Sequence, residues 1–209
     1  MARMIAASCR LCRREKEKLF LKGTKCTTDK CAVARRETPP GQHGQRMQRK
    51  GSNYLIQLRE KQKAKRIYGI LERQFKNYFK KASAQKGATG DVLLRSLETR
   101  LDNVVYKACF AESRAKARQM VLHRHVKVNG RKLNVPSYQV VPGDEITLSG
   151  SESQLKSYKE TTKILEDRTA PEWLEVSAEN LTVKIKRLPE RKDIGEAIQT
   201  SLIVELYSK

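Results

Sequence analysis

Apolar positions along the chain follow three successive patterns. In the first, Tyr54, Leu55, Ile56 and Leu58 lead into a basic run, and Ile70, Leu71, Phe75, Tyr78 and Phe79 follow at helical spacing with bases between them. This predicts two short basic helices joined near Tyr68 and Gly69. In the second, Leu93, Leu94, Leu97, Leu101, Val104, Val105 and Ala108 share an arc of about 120° on a helical wheel. One helix, capped by Asp91 and running to about Lys107, is expected there. Ser113 then predicts the cap of a further helix ending near Leu122. Ala117, Met120 and Val121 form its apolar stripe, with Arg114 and Arg118 four apart on one face.

In the third pattern the period changes to two. Val126, Val128, Leu133 and Val135 alternate with polar residues on either side of Asn129-Gly130, the signature of a hairpin whose type I′ turn needs φ > 0 at both central residues. Val140 and Val141, then Pro142-Gly143-Asp144 and Ile146 to Leu148, give a turn and another strand. Residues 181–185 and 202–206 also read as strands, without a place in the order. Residues 38–45, with two prolines and two glycines, and residues 86–90 are breaks. The expected fold class is α+β: a metal-pinned basic segment over residues 1–45, a helical and mixed domain over 46–90 and 149–209, and an inserted α/β module, two helices on a small sheet, over 91–148.

Charge adds a partner to this outline. The 209 residues carry 44 Lys and Arg against 23 Asp and Glu, a formal net charge of +21. Residues 1–90 hold 24 of the bases and 6 acids, whereas residues 133–209 are slightly acidic. Self-repulsion on this scale calls for a polyanion. Neither a run of about 18 apolar residues nor a greasy face opposite the charge is present, so a membrane is not the expected partner. The apolar stretch at residues 4–7 is too short for a secretion signal, and a cytosolic location is expected. Glu60 is the only acid between Asn53 and Tyr68. Arg59, Lys61, Lys63, Lys65 and Arg66 therefore read as phosphate ligands rather than a solvated face laced with Glu. Arg10, Arg13, Arg14, Arg35, Arg36, His43, Arg49, Lys50 and Arg73 extend the same basic surface.

Four of the five cysteines, Cys9, Cys12, Cys26 and Cys31, lie in the first 31 residues with spacing C-x2-C-x13-C-x4-C. Two thiolate pairs brought together can complete a tetrahedron around one ion. Disulfides suit a cytosolic chain poorly, and free packing cysteines would want an apolar setting that these bases deny. A structural zinc ion is favoured, with an iron–sulfur cluster on the same thiolates as the alternative. Either would fold about thirty basic residues that have no core of their own. Cys109, between Ala108 and Phe110, reads as a packing residue.

In the module at 91–148, Arg114, Arg118, His125, Lys127, Arg131 and Lys132 would form a basic concave surface, with Asn129 a further candidate RNA contact, or else a solvated rim on a small α/β domain. On the first reading, Arg114→Ala with Arg118→Ala should weaken RNA binding and leave the fold intact.

Residues 113–121 (SRAKARQMV), with Val126-Lys127-Val128-Asn129-Gly130 and Pro142-Gly143-Asp144, resemble the S-four RNA-binding domain. Pro39-Pro40-Gly41-Gln42-His43-Gly44, Leu58-Arg59-Glu60-Lys61-Gln62-Lys63, Arg66-Ile67-Tyr68-Gly69, Glu72-Arg73-Gln74-Phe75, residues 97–106 and Leu188-Pro189-Glu190-Arg191 extend the likeness over the chain. It is similar throughout to the S-four family of bacterial small-subunit ribosomal proteins. The resemblance implies a monomer within the ribosome, a primary binder of small-subunit (16S) rRNA that nucleates assembly and contributes to translational accuracy. It also implies contact with ribosomal protein S-five and a position near the path by which mRNA enters. The cysteines match the metal-binding subset of that family. His123-Arg124-His125 departs from the pattern, since many members have Gly between the histidines, and Arg disfavours a left-handed backbone there.

An enzyme is not expected. His43, His123 and His125 have no nucleophile with an orienting acid nearby, and no Gly-rich phosphate cradle is present. Enzymes that carry the S-four domain add a catalytic body for which this chain has no room. An extra-ribosomal RNA-binding translational regulator would use the same surface.

Overall fold

A computed structural model of the chain describes residues 6–44, 51–165, 168–195 and 197–208. It divides into two compact units, Met1–Leu93 with Glu196–Lys209, and Leu94–Gly195. The expected grouping of residues 149–209 with the helical domain is thus corrected. Residues up to Gly195 join the second unit because their strands complete its sheet.

In the first unit, α1 (Ser8–Glu15), a 3-10 turn (Gly23–Cys26) and α2 (Ala32–Arg35) precede the two expected basic helices, α3 (Asn53–Ile67) and α4 (Glu72–Ser83). The Ser52 hydroxyl caps α3 by accepting from the Leu55 N–H. Gly69, at φ 63°, supplies the left-handed turn that lets α4 start again. Ala64 and Ile67 on α3 and Phe75 and Ala82 on α4 are buried. Residues 202–206, expected as a strand, belong instead to α9 (Thr200–Tyr207), which packs on α3. A short apolar run has no period of its own to decide between helix and strand. Here Ile203 is buried and the Tyr207 ring lies 4.5 Å from that of Phe79.

The expected helix over 91–107 is two. α5 (Thr89–Glu98) carries the chain toward the second unit, and α6 (Leu101–Lys107) follows. Between them Arg100 is extended (φ −68°, ψ 136°) and bridges Gln139. The Val140 N–H donates to Thr99 O, and the Leu101 N–H to Tyr138 O. The apolar residues of both pieces are buried, so the break leaves the hydrophobic pattern in phase and invisible to it.

α7 (Arg114–Leu122) is capped by the Ser113 hydroxyl, as expected. Strands β1 (Val126–Val128), β2 (Arg131–Lys132), β3 (Glu145–Leu148), β4 (Leu174–Ser177) and β5 (Thr182–Ile185) form one antiparallel sheet, ordered β2-β1-β3-β5-β4. Asn129 and Gly130 have φ 49° and 78°, the turn their sequence predicts. Arg124 adopts φ 61° in spite of its side chain, which corrects the expectation from its sequence. Residues 181–185 gain the partner the sequence left open: Ile146 pairs with Val183. α6, α7 and the sheet enclose one core that includes Val104, Val121, Val126, Ile146, Trp173 and Val183. α8 (Glu152–Ile164), with a Ser151–Gln154 capping box, connects β3 to the β4–β5 hairpin.

Candidate nucleic-acid interface

The N-terminal cysteines converge. α1 carries Cys9 and Cys12, the 3-10 turn ends on Cys26, and Cys31 caps α2. All four line one cavity of about 20 Å³, room for about one water-sized body. Burial pushes the Cys12 thiol up, and its neighbours Cys26, Cys9 and Cys31 raise it further, against a backbone hydrogen bond at Leu19. The Lys22 N–H donates to Cys26 Sγ at 3.3 Å, a contact that also suits a thiolate. Among the described residues no three His, Cys, Asp or Glu side chains close to metal-ligand spacing. The donor set fits a tetrahedral thiolate ion, though the thiols are not drawn in around one point.

The cations nominated on α3 are turned inward. Arg59 and Arg66 both pair with the buried Glu15 carboxylate. Lys61 and Lys65 reach Glu72 at 2.6 and 3.1 Å. Lys63 pairs with Glu17 at 2.7 Å and donates to Ala197 O at 2.6 Å. Burial works to raise the Glu72 carboxyl, but hydrogen bonds from Lys61 and Lys65 leave it below the usual range. Burial beside Glu72 pushes the Tyr207 phenol, which donates to that carboxylate at 3.0 Å, well up. Glu60 is the only acid within the α3 run, yet α1, the residues just after it and α4 bring three more against it.

α4 behaves differently. Arg73, Lys76, Lys80 and Lys81 are exposed and their side chains make no hydrogen bond or ion pair among the described residues, opposite the buried Phe75 and Ala82. Of these the sequence nominated only Arg73. The signal was present: bases at i, i+3, i+7 and i+8 define one face of a helix whose other face is aromatic. Arg10 and Arg36 are likewise exposed and unpaired, and His43 is exposed in its loop. Arg14 is exposed beside Glu15. Arg13 donates to Thr38 O at 2.9 Å, and Arg35 to Asp29 O at 3.1 Å. Arg49 and Lys50 lie outside the described residues.

In the second unit three nominated side chains serve the fold. Arg118 is 8% exposed and pairs with Asp102 at 2.9 Å, and Asp102 also holds the fully buried Arg100 at 2.8 Å. The Arg114 guanidinium donates to Asn103 Oδ1 at 2.8 Å and lies 4.4 Å from the Tyr106 ring centre. The Asn129 amide donates to Asp144 at 2.8 Å and its oxygen accepts from the Glu145 N–H, which fixes the hairpin. The expectation that the Arg114 and Arg118 pair can be removed without cost to the fold is therefore corrected: their face is the α6–α7 seam. Arg131 and Lys132 are exposed on β2, while Lys127 and His125 are half-buried, with His125 against the Tyr158 ring.

A helix pair on an antiparallel sheet, preceded by a basic helical unit with outward lysines, is the build of an RNA-binding protein of the S4-domain class. Residues 99–146 match the model of the S4 domain, and residues 3–98 that of the ribosomal protein S4/S9 N-terminal domain. Small ribosomal subunit protein uS4 of Thermodesulfovibrio yellowstonii is 55% identical over 209 residues, the whole of both chains. The uS4 protein of Thermus thermophilus is 49% identical and uS4A of Symbiobacterium thermophilum 55%, again with complete coverage of both. The chain belongs to the uS4 family of small-subunit ribosomal proteins.

Proposed function

We propose that the chain is a structural constituent of the small ribosomal subunit, not an enzyme, and binds its rRNA through the outward cations of the first unit. The unpaired set on α4, together with Arg10 and Arg36, carries this reading in a chain of the uS4 family. Exposed Lys and Arg neutralise phosphates and release counterions, so helices that would repel one another are held together. Duplex RNA hides its bases in a deep groove, and recognition rests on shape and backbone. Nucleation of assembly and support of decoding accuracy follow from holding a junction rigid.

The four cysteines are proposed to hold one structural zinc ion, with an iron–sulfur cluster as the alternative. Their lining of a single small cavity supports it. When bound, the group offsets part of the charge of the four thiolates and ties α1 to the turn and α2. On the second unit, Lys184–Glu145, Lys186–Glu175 and Arg187–Glu172 give β5 and its exit a surface of mixed sign. That surface suits a protein neighbour better than a phosphate backbone and is assigned to ribosomal protein S-five, with mRNA nearby. No described helix is long and apolar enough to cross a membrane, and a monomer bound to cytoplasmic ribosomes is the proposed state.

The test is affinity of the full chain for small-subunit rRNA across salt. With six or more phosphate contacts, affinity should fall roughly 10³-fold or more between about 50 and 200 mM salt. A flat response removes the electrostatic account.

A further inference from the structure

The loop at residues 38–44 is built more rigidly than a connection requires. Gly41 sits at φ +112°, and a Cβ on Gly44 would lie 2.0 Å from the Pro39 carbonyl oxygen, so both positions demand glycine. The Gly44 N–H donates to Gly41 O at 3.1 Å. Arg13 reaches from α1 to clamp the loop through Thr38 O at 2.9 Å and Pro39 O at 3.4 Å. Between α1 and this loop lies an open concavity of about 720 Å³, lined in part by Arg13, Arg36, Thr38 and Gln42.

Its volume falls in the range of small-ligand sites, roughly 300–1,000 Å³. Among the described residues its lining includes two guanidinium groups and no acid. Arg36 is exposed and its guanidinium has no hydrogen-bond or ion-pair partner among the described residues, and Arg13 has its Nε and Nη2 engaged with the loop. An anion is therefore the matching occupant. Among the described residues the lining has no aromatic ring, so it offers a base nothing to stack on.

We propose that this concavity receives one phosphate-bearing nucleotide turned out of the bound rRNA. Arg36 pairs with its phosphate and the Gln42 amide hydrogen-bonds its sugar or base edge. Unpaired nucleotides splayed from bulges and junctions are the parts of RNA that a preformed pocket can read. The inference rests on the rRNA-binding reading above and adds a defined subsite to a surface otherwise held by charge alone.

Chemical footprinting of small-subunit rRNA with the full chain tests it, with affinity measured in parallel. R36A should lower affinity about tenfold, the worth of one charge-assisted hydrogen bond, and expose a single nucleotide that the wild type protects. Q42A should expose the same nucleotide with a smaller loss. G44A, by displacing the Pro39 carbonyl, should expose it with Arg36 intact. Titration with uridine monophosphate separates sources: saturation of the pocket by the free nucleotide with an unchanged rRNA footprint in R36A would overturn the proposal. So would unchanged affinity and protection in R36A and Q42A while the wild type binds. A wild type that fails to bind rRNA at all would instead sink the rRNA reading itself.

Discussion

Helices α3 and α4 are adjacent, both basic and of similar composition, yet their charges do opposite work. On α3, Arg59, Lys61, Lys63, Lys65 and Arg66 each meet a carboxylate contributed by another element. On α4, Arg73, Lys76, Lys80 and Lys81 meet none among the described residues. A cation already paired and partly desolvated has little to offer a phosphate, because a new partner must first replace the old one. A solvated, unpaired lysine releases a counterion at once. Local charge density thus does not tell which cations are free to meet a phosphate; the side-chain partners separate the two helices.

The same contrast exists in the second unit, where its disruption should have the largest effect. Arg118→Ala leaves Asp102 buried without one of its two guanidinium partners and should cost about 3–5 kcal/mol of stability. Chemical denaturation would show it, and the variant's RNA affinity should fall only as far as its folded fraction falls. Unchanged stability would return Arg118 to the set of RNA ligands. Removal of the proposed metal comes next. Cys12→Ser with Cys26→Ser, or chelation, should release bound zinc and loosen α1, which supplies Glu15 to Arg59 and Arg66. Metal analysis and amide exchange over residues 8–36 check this. A metal-free chain with full protection there contradicts the thiolate site.

The smallest effect concerns pH. Because the folded carboxyl of Glu72 lies below its ordinary value, its ion pairs stabilise the fold above the unfolded pKa, and that contribution is lost as pH falls through the folded one. Glu72 is about half exposed, so the loss should stay under about 1 kcal/mol. Glu72→Gln should flatten this part of the acid limb. A variant with the same acid dependence as the wild type would show that Lys61 and Lys65 are not held by Glu72.

Much of the fold was legible in the chain. The 3.6 and 2 periodicities placed α3, α4, α7 and the β1–β2 hairpin, because each buries one face and caps or turns with the residues its geometry requires. What was hidden depends on contacts distant in sequence. The break at Thr99 and Arg100 is made by hydrogen bonds to residues 138–140, and the apolar phase passes through it undisturbed. Residues 202–206 are helical because α3 offers them a surface, a fact absent from their own composition. The four cysteines were legible as a group since spacing alone brings them to one cavity. The pairing of the α3 cations was hidden for the opposite reason: Glu15, Glu17 and Glu72 lie outside the run that they neutralise.

Salt dependence of rRNA binding by two variants tests the division between these helices most directly. Arg73, Lys76, Lys80 and Lys81 replaced together by Ala should reduce the slope of log K against log salt by about 3.6, at about 0.9 unit for each of four lost phosphate contacts. Lys63→Gln with Lys65→Gln should leave that slope unchanged. A slope unaltered by the α4 substitutions, or lowered by those on α3, would contradict the assignment.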